Sequence, residues 1–396
     1  MPNKSTIYLN HMALINALGS EHDTVFSKLI QADTSGMKSY HSPATDKAFL
    51  VGKVEQKLSD IQPPFAKHNT RNNRLILNCL EQLSAPLSDL SNTYPTDRIG
   101  VIIGTSTSGI AEGEVALQSH AQTGSFPVDF DYSQIQMSSP ANFIKDYLQL
   151  KGPAYSISTA CSSSGKVFAS ARSLIENNLC DAVIVGGADS LCDMTLNGFD
   201  SLEAISPDLS LPFSVNRSGI NIGEGAALFI MSREPASVAL LGVGESSDAH
   251  HISAPQPEGQ GAAAAMAMAL SDAGLTAEDI DYLNLHGTGT ELNDLMEGKA
   301  ASSILTDSTI ASSTKPLTGH TLGAAGATEL AFCWLALSQT AAPYRFPKHH
   351  FDNQYDQAIP SLNLATEQTT SPALRVAMSN SFAFGGNNVS VIIGRS

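Results

Sequence analysis

Strand-like apolar runs alternate with helix-like stretches along most of the chain, and this alternation starts a second time at Ala236. Several runs end in glycine, serine or threonine and lead directly into a helix-like stretch, as in layered α/β proteins. The repetition predicts an internal duplication, with one half at residues 1–235 and the other at residues 236–396. The strand-like runs lie at residues 5–10, 99–103, 155–158, 181–188, 222–231, 238–245, 280–285, 309–312 and 375–379 and near the C-terminus.

Helix-like apolar spacing fills many of the gaps between these runs. Residues 11–19 predict a turn of small residues that leads into the first helix. Residues 32–70 predict loops with a short strand at 49–51, and a loop-rich insertion is predicted after residue 188. The helices are predicted at residues 21–31, 72–83, 140–148, 259–273, 292–305 and 323–338.

The composition narrows the class of function. Lys and Arg number 22 and Asp and Glu number 38, so the net charge is −16, and we do not expect nucleic acid as the main partner. The five cysteines fit neither a disulfide framework nor a zinc site, which favours a reducing compartment. The chain has no signal-peptide core and no run of the roughly 18 apolar residues that a membrane span needs. We therefore expect a cytoplasmic protein without a membrane segment.

Cys161 lies at the step from a strand to a helix. The run at residues 155–158 ends just before it, and the apolar residues between 167 and 175 repeat with a helical period. At such a step, unpaired N–H groups and the helix dipole favour a thiolate over a thiol. The alternative is a structural cysteine, because free cysteine is among the most buried residue types.

Two of the 11 histidines, His286 and His320, follow strand-like runs and stand among glycines and threonines. A satisfied core histidine is the alternative for each, but ends of strands are where sites are built in α/β proteins. A thiolate can take an acyl group from a thioester. Two neutral imidazoles can then stabilise the enolate that forms when a carboxylate leaves as carbon dioxide. Together with Cys161 the two histidines therefore suit carbon–carbon bond formation.

Four motifs, in the same order, resemble those of the β-ketoacyl-acyl-carrier-protein synthases. They are Thr-Ala-Cys-Ser-Ser at Cys161, His-Gly-Thr-Gly-Thr at His286, the Lys-to-Gly run at residues 315–326, and the Phe-Gly-Gly turn within residues 380–388. The similarity is to the elongating Cys-His-His branch, and it covers about residues 95–396. Four motifs in order are more specific than any one of them.

The resemblance implies an α/β, thiolase-like fold with two similar halves in a five-layered αβαβα arrangement. It implies a decarboxylative Claisen condensation between an acyl group on Cys161 and a malonyl group on an acyl carrier protein. It implies no metal and no cofactor beyond the phosphopantetheine of that carrier. Asn72, Asn73 and the shortness of the chain resemble the ketosynthases of bacterial aryl-polyene clusters.

Residue roles follow from the resemblance by position. Cys161 would be the nucleophile, and His286 and His320 would polarise the malonyl thioester, with Lys315 supporting His320. The backbone N–H groups of Cys161 and Phe384 would form the oxyanion hole, and the Phe384 ring would gate the pocket. The remaining implied roles are pantetheine binding by Thr288 and Thr290, a structural position near the site for Glu329, the acyl pocket for Thr107 and Phe199, and carrier docking for Lys67, Arg71 and Arg74.

The chain departs from the family pattern at several positions. Asn387 stands where a threonine is usual after Phe-Gly-Gly, and Ser218 and Ile220 replace the usual Asp and Phe of Arg-Asp-Gly-Phe. Thr107 is polar where many elongating enzymes have a bulky aliphatic residue. These changes concern the shape of the acyl pocket and the chain length it accepts, and they leave the trio of Cys161 and two histidines intact.

Three other classes remain as alternatives. A thiolase would use a second cysteine near the C-terminus, where residues 381–386 contain none, and an initiating synthase would have asparagine in place of His320. A non-catalytic subunit of the chain-length-factor type would lack the nucleophile. The chain could form a homodimer or a heterodimer with such a subunit. Because its net charge is −16, docking of an acidic carrier would need a local basic patch.

Overall fold

Two five-stranded sheets of the same design form the frame of the computed structural model, which describes residues 6–396. They join edge to edge where β1 pairs with β8 at two residues only, and a short sixth strand extends the second sheet. The strands of the first half are β1 (Ile7–Ile15), β2 (Met37–His41), β3 (Ala48–Gly52), β4 (Ile99–Gly104), β5 (Ala154–Ile157), β6 (Ala182–Asp189) and β7 (Gly225–Ser232). Those of the second half are β8 (Val238–Ser247), β9 (Tyr282–Asn284), β10 (Ile310–Ser312), β11 (Tyr344–Arg345), β12 (Asn363–Leu364), β13 (Thr370–Ser371), β14 (Val376–Phe382) and β15 (Asn387–Arg395).

The two sheets repeat one topology. The strand order is β5-β4-β6-β7-β1 in the first and β10-β9-β14-β15-β8 in the second. In each sheet the first three strands are parallel and the last two are antiparallel to their neighbours. The expected duplication is therefore present. The first sheet ends with Ser232 and the second begins with Val238, and the division into domains at residues 235 and 236 stays a prediction.

Helices cover both sheets and fill the space between them. They are α1 (His22–Gln31), α2 (Arg71–Gln82), α3 (Ser84–Thr93), α4 (Ile110–Thr123), α5 (Ser139–Tyr147), α6 (Ser163–Glu176), α7 (Asp193–Ser201), α8 (Gln260–Ala273), α9 (Glu291–Ile304), α10 (Lys315–Thr318) and α11 (Ala325–Leu337). No helix within residues 6–396 is both long and apolar enough to cross a membrane.

The layers follow from which strands each helix contacts. Helices α2 and α5 pack on the outer face of the first sheet, and α8 and α9 pack on the outer face of the second. Helices α6 and α11 touch strands of both sheets and lie between them. The arrangement is αβαβα, as expected for a thiolase-like fold. Burial of side chains from both sheets around α11, whose residues are nearly all buried, makes one shared core.

The two central helices meet through glycine. A Cβ added at Gly326 would lie 2.6 Å from the backbone nitrogen of Gly165 and 2.9 Å from its Cα. Real Cβ atoms do not approach backbone atoms that closely, so the absence of a side chain lets α6 and α11 pack backbone to backbone. Cys161 precedes the first of these helices and His320 precedes the second, so this contact sets how far apart the two lie.

Some predicted elements differ from the structure. The turn predicted at residues 11–19 is wrong for its first part, because β1 continues to Ile15 with Met12, Ala13 and Leu14 buried. Both faces of that strand are covered, and a strand buried on both faces has no polar alternation to mark it. The insertion after residue 188 contains the helix α7, and α3 and α4 were not predicted. The remaining predicted helices coincide with observed ones within a few residues, which is the usual uncertainty of helix ends.

Candidate active site

Cys161 lies beyond the end of β5, two residues before α6 begins, and it is 6% exposed. Ala160, directly before it, has a left-handed backbone with φ of 51°, a conformation that costs energy for a residue other than glycine. This bend turns the Cys161 side chain into a cavity of about 380 Å³. Both predicted histidines line the same cavity.

His286 lies two residues beyond β9, and buried carboxylates fix its backbone. The N–H groups of His286 and Gly287 donate to the two carboxylate oxygens of Glu297 on α9, each at 2.7 Å. Asp294, one turn earlier on the same helix, accepts from the N–H of Gly289. Since a carboxylate can accept several hydrogen bonds at once, α9 holds the loop that carries the histidine.

His320 lies between α10 and α11, and its ring reaches the sulfur of Cys161. Its N–H donates to the carbonyl of Asn221 at 2.7 Å. Its Nε2 lies 3.0 Å from the Cys161 Sγ, and its ring centroid is 5.4 Å from that of His286. The donor atoms of the cysteine and the two histidines all lie within 4.8 Å of one another. The structure thus brings together three residues that the sequence places up to 159 positions apart.

Burial decides the protonation of this trio. It raises the pKa of the Cys161 thiol to about 12, although the charge of Lys315 and the N–H groups of Phe384 and Cys161 act in the opposite direction. The expectation of a thiolate from the helix start is therefore wrong for this state, because desolvation outweighs the dipole. Burial and the Lys315 charge lower the pKa of His286 and of His320 well below the usual value. The site holds a neutral thiol and two neutral imidazoles.

Lys315 is buried beside the trio and forms an ion pair with Glu329. Its Nζ lies 2.5 Å from the Glu329 Oε1 and also donates to the carbonyl of His286. Burial raises the pKa of Glu329 to about 7, against the effect of Lys315. Lys315 therefore touches the backbone of the first histidine from a helix that ends next to the second, and it couples the two loops.

The other predicted substrate-binding residues lie around the same cavity. The hydroxyl oxygens of Thr288 and Thr290 are 2.9 Å apart. The Phe384 ring lies 5.6 Å from that of Phe199, and all four residues line the cavity. Gly385, beside the ring, has φ of 81°, which a residue with a side chain rarely adopts.

The predicted acyl-pocket residue Thr107 does not line this cavity. It is fully buried, and its hydroxyl donates to Asp189 at the end of β6 at 2.9 Å. Of the residues that depart from the family pattern, Ser218 and Ile220 line the cavity. Asn387 accepts a hydrogen bond from Lys166 at 3.1 Å.

The three predicted docking cations are each paired within the chain. Arg71 binds the fully buried carboxylate of Glu224 through two hydrogen bonds. Lys67 lies 3.2 Å from Asp146, and Arg74 lies 3.0 Å from Asp60. The Lys67 side chain is 56% exposed, whereas that of Arg71 is 29% exposed. Arg71 neutralises an internal carboxylate, and its role in docking, like those of Lys67 and Arg74, stays a prediction.

Sequence reasoning missed the buried groups that hold the site in place. Glu297 and Asp294 follow the His-Gly-Thr-Gly-Thr run on an amphipathic helix, and their spacing of three residues could have indicated one shared face. Asp189 and His349 stand far from the motifs. His349 accepts from the N–H of Ser313 and donates to the carbonyl of Pro212, and no local pattern predicts these contacts.

The chain belongs to the β-ketoacyl synthase family. Residues 26–236 match its N-terminal domain and residues 238–349 match its C-terminal domain. The nodulation protein E of Rhizobium meliloti is 35% identical over 74% of this chain and 74% of its own length. The 3-oxoacyl-[acyl-carrier-protein] synthase 2 of Coxiella burnetii is 29% identical over 99% of both chains.

Solved structures agree with the family and extend the comparison to the whole chain. The ketosynthase ApeO of Xenorhabdus doucetiae, in complex with its chain length factor ApeC, has 44% identity and a TM-score of 0.94, covering 100% of this chain and 99% of its own. The ishigamide ketosynthase/chain length factor has 23% identity and a TM-score of 0.85, covering 99% and 100%, which is evidence for the fold alone. The predicted family and fold are therefore confirmed, and the chain is a β-ketoacyl synthase.

Proposed function

We propose that this synthase joins an acyl group held on Cys161 to a malonyl group carried by an acyl carrier protein. One observation carries the proposal, which is the 3.0 Å contact between the Cys161 Sγ and the His320 Nε2, with the His286 ring beside it in one cavity. A thiol next to a neutral imidazole can act as an acyl acceptor. A second imidazole is not needed for acyl transfer, but it fits the decarboxylation that follows.

In the first half-reaction, the Cys161 thiol gives its proton to the His320 Nε2 while the sulfur attacks the acyl thioester carbonyl. The N–H groups of Cys161 and Phe384, which already donate toward the sulfur, would receive the negative oxygen of the tetrahedral intermediate. The intermediate collapses with cleavage of the bond to the carrier sulfur. The proton on Nε2 passes to that leaving thiolate, so the histidine returns to its neutral form.

In the second half-reaction, the malonyl thioester loses carbon dioxide and becomes an enolate. With Sγ acylated, no thiol proton faces His320, so its neutral ring can carry the proton on Nε2. Nε2–H groups of His286 and His320 would donate to the thioester oxygen and stabilise the enolate. The enolate carbon then attacks the acyl carbonyl, the bond to Sγ breaks, and the β-ketoacyl chain remains on the carrier. The Cys161 thiolate that leaves takes up one proton from solvent and returns to the neutral thiol. The low pKa of both imidazoles supports donors that stay neutral.

The carrier would present its arm through the cavity mouth. Thr288 and Thr290 would bind the amide-bearing pantetheine, and their position in the cavity wall supports this role. Lys67, Arg71 and Arg74 are the candidates for docking, and Lys67 is the most exposed of them. No metal or further cofactor is needed for these steps.

The partner and the pathway belong to the same proposal. The complex of the 44% identical ketosynthase with a chain length factor supports a heterodimer of that kind over a homodimer. It also supports the aryl-polyene type of ketosynthase that the sequence resembles. We propose that the protein acts in the cytoplasm, because its cysteines are free and a reducing compartment keeps thiols reduced. Co-expression with a chain length factor such as ApeC, followed by size-exclusion chromatography, tests the pairing, and elution as a homodimer alone would contradict it.

Mass spectrometry of the intact protein with a panel of acyl-carrier thioesters tests the reaction itself. The wild type should gain the mass of the acyl group, and Cys161→Ala should not. Cys192→Ala is the matched control, because Cys192 is also buried and burial raises its thiol pKa to about 11. It should be acylated like the wild type. Acylation of the Cys161→Ala protein, or no acylation by any thioester, would overturn the assignment.

A further inference from the structure

Asp189 is a buried carboxylate behind the active site that no step above uses. It ends β6, is 0% exposed and lines no wall of the cavity. Its Oδ1 accepts from the hydroxyl of Thr105 at 2.7 Å and from the hydroxyl and N–H of Thr107 at 2.9 Å and 2.8 Å. It also accepts from the N–H of Ser106 at 2.8 Å. Four donors on one oxygen fix the whole loop after β4.

The second oxygen reaches the other half of the molecule. The Oδ2 of Asp189 accepts from the N–H of Ala324 at 3.1 Å, directly before α11. Ala324 is four residues after His320. One side chain from the first sheet thus holds the turn that follows a histidine of the second.

Two strained residues depend on this anchor. Leu322, between His320 and Ala324, has φ of 49°, and Ala160, before the nucleophile, has φ of 51°. Ser106 donates to the carbonyl of Ala160 at 3.3 Å, and its N–H is held by Asp189. Left-handed conformations of residues other than glycine persist only when the surroundings hold them in place.

We propose that Asp189 is a positioning residue that sets the geometry of the Cys161–His320 pair. It joins the loop beside the nucleophile to the turn beside the histidine. The proposal rests on the proposed function for its kinetic part only. The negative charge of Asp189 also opposes ionisation of the Cys161 thiol.

The charged and titratable groups around the pair are few. The rings of His286 and His320 both lie beside the Cys161 thiol, with donor atoms within 4.8 Å of one another. The charges of Lys315 on α10 and Asp189 on β6 also act on the thiol, in opposite directions. His286 is affected by His320 and Lys315, and Asp189 also acts on Cys192. Lys315 has the largest charge effect on the thiol, so removing the opposing Asp189 charge makes ionisation easier.

The test is the pH profile of Cys161 alkylation by iodoacetamide in Asp189→Asn, read by mass spectrometry of the peptide that contains Cys161. Asparagine keeps the shape and removes the charge, and one of its two polar groups mismatches the N–H donors. We expect the midpoint of alkylation to move to lower pH, because the Asp189 charge raises the pKa of the Cys161 thiol. We also expect kcat for condensation to fall by roughly tenfold or more at unchanged KM.

Thr107→Val is the matched control, because it removes one hydrogen bond to Asp189 and keeps the charge. Its alkylation midpoint should equal that of the wild type, even if it unfolds at a lower temperature. A purely structural Asp189 would change the melting temperature of Asp189→Asn and leave both the midpoint and kcat per folded molecule unchanged, and that result overturns the proposal. Alkylation needs no substrate, so this outcome is separate from a failure to accept acyl thioesters.

Discussion

The two halves share one strand order, yet the ends of equivalent strands carry different chemistry. The end of β4 carries Thr105, bound to a carboxylate, where the end of the equivalent β9 leads to His286. The end of β5 leads to Cys161, where that of β10 leads to Lys315 and then His320. The first half supplies the acyl acceptor and the second supplies the imidazoles. Duplication provided the frame, and the residues just beyond the strands provided the reaction.

The connections between the last two strands differ most. Residues 190–224 link β6 to β7 and contribute Phe199, Ser218 and Ile220 to the cavity wall. Only residues 383–386 link β14 to β15, and they contain Phe384 with two left-handed glycines. The first half therefore forms its part of the cavity wall with a long connection, while the second forms its part with a tight turn that carries Phe384.

Substitution of the two histidines should give the largest effect on activity. If it had no effect, the assignment of the imidazole chemistry to the second half would be wrong. His286→Ala and His320→Ala should each slow decarboxylation of malonyl-carrier protein by about 10²- to 10³-fold, as expected for the loss of one donor to a developing oxyanion. Release of carbon dioxide measures this. His286→Ala should still accept an acyl group on Cys161, because the sulfur contacts the other ring.

The exposed His41, which does not line the cavity, serves as a control, and His41→Ala should decarboxylate like the wild type. A rate equal to wild type in either catalytic variant would show that the assigned imidazole does not contact the enolate.

Arg71 and Arg74 should differ in how much each contributes to the stability of the fold. Arg71→Ala leaves the Glu224 carboxylate buried without a cation, which should lower the free energy of unfolding by about 3–5 kcal/mol. Arg74→Ala breaks a pair with the exposed Asp60 and should cost about 0–1 kcal/mol. Urea denaturation measures both.

The double variant Arg71→Met with Glu224→Leu should recover part of the loss, because no unpaired charge remains but the N–H groups of Val54 and Leu191 lose their acceptor. Equal stability of the two single variants would contradict the internal role of Arg71.

Carrier docking is tested by the double variant Lys67→Glu with Arg74→Glu. It should raise KM for the acyl carrier protein, and an unchanged KM would exclude Lys67 and Arg74 as docking residues.

The buried His349 in the second half should make the stability of the protein depend on pH. Burial lowers the pKa of His349 to about 4, below the usual 6.5, so the unfolded chain binds its proton at higher pH than the native one. Stability from this group is complete above pH 6.5 and is lost as the pH falls to 4, by about 3 kcal/mol. Urea denaturation at several pH values measures it. His349→Gln should show a flatter profile, and an unchanged slope would mean that another group titrates.

The fold and the grouping of Cys161 with the two histidines could be predicted because both leave local signals. The strand before His286 is an apolar run, the strand before Cys161 is a short run of small and β-prone residues, and the motifs around them have fixed spacing. Thr107 could not be placed, since its hydrogen bond to Asp189 spans 82 positions. The pairing of Arg71 with Glu224 spans 153. The protonation of Cys161 could not be predicted either, because it depends on how much water the folded cavity excludes.

The contact between Gly165 and Gly326 lets the two central helices pack with no side chain between their backbones. A methyl group at residue 326 would have to push α11 away from α6, since the backbone of Gly165 occupies its space. His320 and Cys161 stand just ahead of these helices, so the displacement would be transmitted to the gap between imidazole and sulfur. The distance on which acyl transfer depends is thus gauged in the core of the protein, well away from the substrate, by two residues that take no part in the chemistry.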